Sequence, residues 1–492
     1  MLVPDDESGS RNVTKSHYCY NRYMATDTHK EKVSRISAKV REFYDLKKPF
    51  RVFHGSTNST RILSFKADEL IDVSDLDEII SIDTKRKVAI VEPNVPMDRL
   101  VAATLQHGLI PPVIPEFPGI TVGGAIQGGA GESSSFKWGF LSQTTNWVEY
   151  VQGDGTVVMS SPHERPDLFY GAAGSCGSLG VITSTELQLL TAKPFVEITY
   201  MPSGNFSKTI DMIAERSKRL SDFDFIDAIA FTKDQSLVIT GKFIYKPSGK
   251  IRRFTRAQDQ WFYLHAQEIL DKDEVVTECV PIKDYLFRYD RGAFWVGRFA
   301  FELFGVPFTR FRRFLLNPIL NTRKLYQALQ ESGASQEYIV QDLTLPIEKS
   351  VDFLNYIDST LAIYPLWICP VKPEPRSPLL CNGIDTELSI NIGVWGPRIP
   401  DYDEFKRVNR NIEKKLAQAD GKKWMYAHTY YTEKEFWNIY DMLWYKELRT
   451  AYGATTLPTI YDKVVVKKHY SVNAKRGLYA TILGTARLRI EK

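Results

Sequence analysis

The sequence predicts an α+β fold of short strands with occasional helices. Short apolar runs are joined by tight turns: Ile79 to Asp83 and Val88 to Glu92 flank Thr84-Lys85-Arg86-Lys87, and Trp147 to Val151 and Thr156 to Met159 flank Gly153-Asp154-Gly155. Helical periodicity is confined to a few segments and does not alternate regularly with strands. No G-x-G-x-x-G occurs anywhere, which argues against a doubly wound dinucleotide-binding sheet.

The elements follow in order. From His29 to Tyr44, Val33, Ile36, Val40 and Phe43 recur at helical spacing and predict an amphipathic helix after a loose, polar lead-in over residues 1–27. Phe50 to Phe53 reads as a short strand running into His54-Gly55-Ser56-Thr57-Asn58-Ser59-Thr60. Pro96 sits where a helix begins, with Met97, Leu100, Val101 and Leu105 on one face and Gly108 closing it. Val181 to Leu190 predicts a further strand. The texture changes near Lys193-Pro194, so a domain of residues 28–195 is expected to be followed by a second, α+β domain over 196–450 and a C-terminal segment, 451–492, returning to the first. The second domain holds most of the tryptophans and the aromatic-basic run Phe308 to Leu316.

Bulk properties narrow the function classes. A chain of 492 residues with 43% hydrophobic and 25% charged residues can fill two or three cores. The formal charge of +4 is too small for general nucleic-acid affinity. Five scattered cysteines suggest neither a zinc site nor a disulfide framework, and a reduced, cytosol-facing setting is expected. The acidic stretch Met1 to Glu7 lacks a signal-peptide core, and no apolar run reaches the roughly 18 residues of a membrane span. The richest candidate, Phe294 to Leu316, is interrupted by Arg298, Glu302, Arg310, Arg312 and Arg313. Within it, Phe299 to Leu316 reads either as a helix pair with snorkelling arginines or as a segment lying on a membrane surface.

The chemistry concentrates between Pro115 and Ile182. Six of the seventeen residues from Gly119 to Ser135 are glycine and four more are Ser or Thr. Missing Cβ atoms let backbone N–H groups converge on an anion, and the hydroxyls add donors, which suits a pyrophosphate held without lysines. Gly171 to Ile182 has the same character, and His54 to Thr60 forms a third such loop.

Together these loops resemble the vanillyl-alcohol-oxidase type of FAD-binding (PCMH-type) flavoprotein. Thr121-Val122-Gly123-Gly124, Gln127-Gly128 to Gly131-Glu132, and Ser133-Ser134-Ser135-Phe136-Lys137-Trp138-Gly139 are similar to the central flavin motif of that family. Gly174-Ser175-Cys176-Gly177 through Gly180-Val181-Ile182 is similar to its second motif. Within the superfamily the resemblance narrows to the sterol Δ24-reductases. It is carried by Arg291-Gly292-Ala293-Phe294-Trp295, Val340-Gln341-Asp342, Tyr364 to Pro370, Glu435-Phe436-Trp437 and Tyr461-Asp462-Lys463, and it covers about residues 30 to 465.

The resemblance implies a two-domain flavoprotein with an α+β substrate cap. It implies FAD with its pyrophosphate on Gly55–Thr60 and Thr121–Gly131, a sterol-like lipid substrate, and NADPH as electron donor. Many relatives attach FAD through a histidine in the first loop. Thr57 or Asn58 occupies that place here and His54 precedes Gly55, so non-covalent FAD is expected, with His54 as cofactor neighbour or as a structural hydrogen-bonding group. Cys176 is expected to be a small loop residue and not a redox thiol. Saturating an isolated C=C bond also needs a proton donor and stabilisation of positive charge at carbon. Tyr430 or His428 is the expected acid, Glu433 lies beside them, Arg291 is the expected electrostatic or cofactor-orienting group, and Lys463 is expected to reach the flavin. Trp295, Trp367 and Trp437 are expected to line an aromatic, charge-poor site. Two other functions fit the same fold: an FAD-linked oxidase or dehydrogenase of a small alcohol, hydroxy acid or aldonolactone, and a non-catalytic lipid-binding protein. The expected location is inside the cell, in the cytoplasm or peripherally on the endoplasmic reticulum membrane.

Overall fold

Antiparallel pairing builds both large sheets of the protein. The computed structural model describes residues 27–55, 59–61, 65–483 and 490–491. The first sheet runs in the order Ile79–Asp83, Val88–Val91, Gly180–Gln188, Thr145–Gln152, Val157–Ser160, with every neighbouring pair antiparallel. Both of its faces are covered, and the two-residue period of a strand sorts its side chains. Val151 and Val181 pack with Val33, Ile36, Val40 and Phe43 of the helix Asp27–Asp45. Tyr150 and Ile182 join the opposite core with Leu100 and Val101 of the helix Met97–Gln106.

The second sheet is antiparallel throughout and has eight strands. Their order is Val276–Pro281, Phe195–Pro202, Gln235–Ile244, Phe225–Thr232, Leu366–Val371, Ser389–Arg398, Tyr338–Pro346, Lys422–Lys423. The helices Phe206–Ser217, Ile347–Leu361 and Tyr402–Gln418 bury Ile213, Phe353, Ile357 and Ile412 in a core shared with its strands. The chain enters this sheet at Phe195, where the change of texture falls.

The glycine-rich stretch is not loop throughout. Val122–Gly128 is helical, with the Thr121 hydroxyl accepting from the Gly124 N–H as N-cap, and Ser135–Trp138 forms one more turn. Gly123 is required by close approach: its N–H donates to the Pro93 carbonyl at 2.7 Å, and a Cβ would stand 2.5 Å from the Pro93 Cβ. The stretch Phe294 to Leu316 folds with two short helices, Gly297–Leu303 and Arg310–Leu315. Among the described residues, no helix is long and apolar enough to cross a membrane.

A buried charge cluster clamps the helix Asp27–Asp45 to the first sheet. His29, 1% exposed, lies with Nδ1 2.7 Å from Glu92 Oε1 and Nε2 3.0 Å from Glu149 Oε1, and Lys32 donates to Glu92 at 3.1 Å. Burial alone would lower the His29 pKa, but hydrogen bonds to Glu149 and Glu92 outweigh it and raise the value from 6.5 to about 9. A histidine raised in this way adds stability that is complete below pH 6.5 and is lost as pH rises through about 9. His29→Gln is therefore expected to cost on the order of 3 kcal/mol near neutrality. The gap in Tm between wild type and variant should narrow between about pH 6 and about pH 9.5; a gap constant across that range would show that His29 is neutral when folded.

Candidate functional site

The glycine helix and the face of the large sheet enclose a cavity of about 680 Å³, within the roughly 300–1,000 Å³ range of ligand sites. One end is lined by small groups from the first part of the chain: Thr121, Gly124, Gln127, Gly128, Gly131, Cys176 and Gly177. At Gly128 an added Cβ would meet no protein atom within 4 Å, because it would project into the cavity.

Cations gather at this end. Lys463, in the short helix Ile460–Val464, donates through Nζ to the carbonyls of Cys176 at 2.9 Å and Gly177 at 2.8 Å. Gly177 has φ +70°, so its carbonyl presentation favours glycine. Burial, aided by the charge of Arg51, pushes the Lys463 pKa down to about 7. Burial, with the Lys463 charge next, lowers the pKa of His54 and keeps it neutral. Arg61 donates to the carbonyls of Met425 and Ala427 through Nη1 and leaves Nε buried without a partner among the described residues. Arg51, His54, Arg61 and Lys463 all line the cavity.

The far end is aromatic. Phe294 stacks on Tyr289 at 3.8 Å between centroids and meets Trp395 at 4.5 Å, Trp367 at 5.4 Å and Phe117 at 5.8 Å. Ala293 and Phe294 hold φ of 46° and 62°, a left-handed backbone costing about 1–2 kcal/mol per residue, and here it turns the Phe294 ring into the cavity wall. Behind this wall lies a buried ion pair. Asp227 Oδ2 accepts from Arg288 Nη2 at 3.0 Å, Tyr289 Oη at 3.1 Å and Trp367 Nε1 at 3.1 Å. Arg288 also donates to Ser133 Oγ at 3.1 Å and lies over the ring of Tyr285, 4.1 Å from its centroid.

Two carboxyl side chains line the cavity among the described residues. Asp342 accepts from the Tyr426 hydroxyl and from Asn391 Nδ2 at 3.0 Å; burial raises its pKa to about 6. Glu116, 6% exposed, leaves Oε1 buried without a partner, and burial, reinforced by the charge of Glu132, pushes its pKa up.

Of the residues singled out in the sequence, the cavity brings together His54, Ser59, Thr121, Gly124, Gln127, Gly128, Gly131, Cys176, Gly177 and Lys463. Ser56, Thr57 and Asn58 lie outside the described residues. The others stand off the cavity. Val122 is in the core, and Gly55 is exposed beside Ser74. Glu132, Ser133, Ser134 and Ser135 bond one another, Arg288 and the Pro112 carbonyl. Lys137 pairs with Asp224 at 3.2 Å, and Gly139 packs against Gln143. Gly174 packs against Leu379, Ser175 is buried, and Gly180, Val181 and Ile182 open the central strand of the first sheet.

The expected acid and electrostatic groups are also not brought to the cavity. Arg291 spends its guanidinium on Asn317 and the carbonyls of Phe254, Ala257 and Asp259. Tyr430 is packed on Phe405 in the second core. His428 is buried, and burial with the charges of Arg61 and Lys423 pushes its pKa down to about 3, so it carries no proton to give at neutral pH. Glu433 is exposed at the start of the helix Glu433–Ile439. Trp367 lines the cavity, whereas Trp295 donates to the Trp395 carbonyl behind it and Trp437 packs on Tyr445. Sequence reasoning missed Arg51, Arg61, Glu116, Trp395 and Tyr426. Asp342 fell inside a quoted block without being assigned a role.

The Asp227–Arg288 pair yields a direct test. Arg288→Met strands a buried carboxylate and should cost on the order of 3 kcal/mol. Adding Asp227→Asn should recover part of the lost Tm in thermal melts, and a double variant no more stable than Arg288→Met would deny the coupling.

Residues 28–161 match a family model described as an FAD binding domain. The chain is 28% identical over 447 residues to a Delta(24)-sterol reductase of Homo sapiens, covering 89% of this chain and 86% of that protein. It is 30% identical over 433 residues to a Delta(24)-sterol reductase of Pisum sativum, covering 80% and 76%. A shorter similarity, 27% over 152 residues, links it to cytokinin dehydrogenase 9 of Oryza sativa. With that extent of likeness over a cavity framed by a glycine helix, the chain belongs to the Delta(24)-sterol reductase family of FAD-dependent oxidoreductases.

Proposed function

We propose that the protein uses NADPH and non-covalently bound FAD to saturate a side-chain double bond, of the Δ24 type, in a sterol or related isoprenoid lipid. One observation carries the reading: a single cavity joins a glycine-and-cation end, suited to a dinucleotide phosphate, to an aromatic end suited to an apolar chain. The residues present fit FAD, since the open space over Gly128 and the unpartnered Arg61 Nε supply room and a donor where a phosphate needs both. In this reading Thr121, Gly124, Gln127, Gly128, Cys176 and Gly177 hold the cofactor, with Arg61 and Lys463 offsetting its charge. Bound FAD supplies the two-electron reducing chemistry. The aromatic rings orient the lipid, exclude water and face positive charge developing on carbon. A hydroxy acid would need a cation at the aromatic end, but the lining cations cluster around Lys463.

In this reading the lipid enters from a membrane surface. Phe304 and Leu478 line the cavity and are 42% and 37% exposed, so the cavity reaches the surface by the C-terminal end of the helix Gly297–Leu303 and the middle of the helix Ala474–Leu483. Beside this mouth, Phe311, Phe314 and Leu315 are exposed together with Arg310, an apolar patch rimmed by positive charge.

Anaerobic NADPH titration should bleach the flavin absorbance, and a Δ24-unsaturated sterol should restore it. Bleaching by small alcohols or hydroxy acids instead would favour the oxidase reading. Acid precipitation should release the yellow cofactor into the supernatant, and colour retained in the pellet would overturn non-covalent binding. Combined Phe311→Ser, Phe314→Ser and Leu315→Ser should reduce co-sedimentation with anionic liposomes while leaving flavin content unchanged; unchanged co-sedimentation would remove the membrane contact.

A further inference from the structure

We propose that the Glu116 carboxyl is the catalytic acid that protonates the double bond, an assignment that rests on the reductase reading above. Glu116 sits on Pro115-Glu116-Phe117, five residues before the Thr121 cap of the glycine helix, so the segment that carries the cofactor cradle also carries this side chain. It lines the cavity at its aromatic end, next to Phe117, whose ring lies 5.8 Å from Phe294 and 5.9 Å from Tyr326.

Its surroundings keep it an acid. A buried carboxylate is normally paired with a cation or with several N–H donors, yet Glu116 Oε1 has no partner among the described residues. The nearby cation, Arg288, gives its Nη donors to Asp227, Ser133 and the Tyr285 carbonyl, and its Nε, buried, bonds none of the described residues, Glu116 included. Burial and the negative charges of Glu132 and Asp227 raise the Glu116 pKa, and they outweigh the charge of Arg288 and a hydrogen bond from the backbone of Glu116 itself. Asp342, the other lining carboxyl, is already engaged by Tyr426 and Asn391. Glu116 therefore combines a carboxyl pushed towards its protonated form, an oxygen without a hydrogen-bond partner among the described residues and a place in the cavity lining.

The step balances. The O–H bond of Glu116 breaks and its proton forms a C–H bond at one alkene carbon. The other carbon gains a hydrogen with its electron pair, which reduced FAD supplies and NADPH replenishes. The Glu116 carboxylate left behind is reprotonated from solvent before the next turnover. The positive charge that develops between the two events sits opposite Phe117, Phe294 and Trp395.

The test separates the two half-reactions in Glu116→Gln and wild type, each loaded with FAD. Dithionite-reduced enzyme mixed anaerobically with a Δ24-unsaturated sterol should regain flavin colour about 100-fold more slowly in the variant, while its reduction by NADPH keeps the wild-type rate. Independently of turnover, infrared spectra at neutral pH should show a protonated-carboxyl band in wild type that is missing in Glu116→Gln and kept in Glu116→Asp. Equal reoxidation of Glu116→Gln and wild type overturns the proposal alone, as does a loss of reoxidation confined to Tyr426→Phe or Asp342→Asn. If Glu116→Gln does not fold, a protonated-carboxyl band that changes frequency between wild type and Glu116→Asp supports the proposal, and a spectrum in which no such band moves overturns it. A reduced wild type that no sterol reoxidises overturns the reductase reading, and this proposal with it.

Discussion

Asp227, a carboxylate without solvent contact on a central strand of the eight-stranded sheet, is the constraint on which the rest of the site depends. Its Oδ2 receives Arg288, Tyr289 and Trp367 at once. Through Arg288 the pair reaches Ser133 at the end of the glycine segment, and the neighbouring Ile226 N–H donates to the Ser133 carbonyl at 2.8 Å. The glycine cradle and the aromatic wall are thereby registered against each other. Desolvating two charges is costly and the pairing need not add net stability. It does exclude other arrangements, because any shift of Trp367 or Tyr289 breaks a bond to a group that water cannot reach.

The same arrangement decides where charge can be tolerated in the cavity. At the end near Lys463, cations crowd closely enough that burial and mutual repulsion push Lys463 down to about 7 and hold His54 neutral. This suits a site for an anionic group, whose arrival would favour the protonated lysine. At the aromatic end the nearby cation is already neutralised by Asp227, so apart from the Glu116 carboxyl the surface that meets a ligand there is mostly carbon. One cavity thus presents two solvents to one extended ligand set.

Much of the scaffold was legible because its signals are local. Val33, Ile36, Val40 and Phe43 mark the buried face of the first helix, and the turns at residues 84–87 and 153–155 mark hairpins present in the structure. The helix inside the glycine stretch was not legible, since glycine is a poor helix former and Val122–Gly128 is held by the Thr121 cap and by packing on Pro93. The site was legible only at its glycine end. Arg61, Asp342 and Tyr426 meet across 365 positions of chain, and no spacing rule connects them. Tyr430 and His428 carried the right chemistry in an aromatic segment, but burial placed Tyr430 in a core and stripped His428 of its proton. Glu116 lay inside the stretch Pro115 to Ile182, but before its glycine-rich part, and no pattern of residues singled it out.

Lys463 grips the second glycine segment through main-chain oxygens alone, those of Cys176 and Gly177. Such a contact reads the path of the chain and is blind to the chemistry of residue 176. Evolution can therefore exchange the thiol for any small side chain that accepts the φ of 50° found there without loosening the grip, whereas a single inserted or deleted residue between Gly174 and Gly180 would move both oxygens out of register. The segment should accordingly vary in composition among related chains while keeping its length.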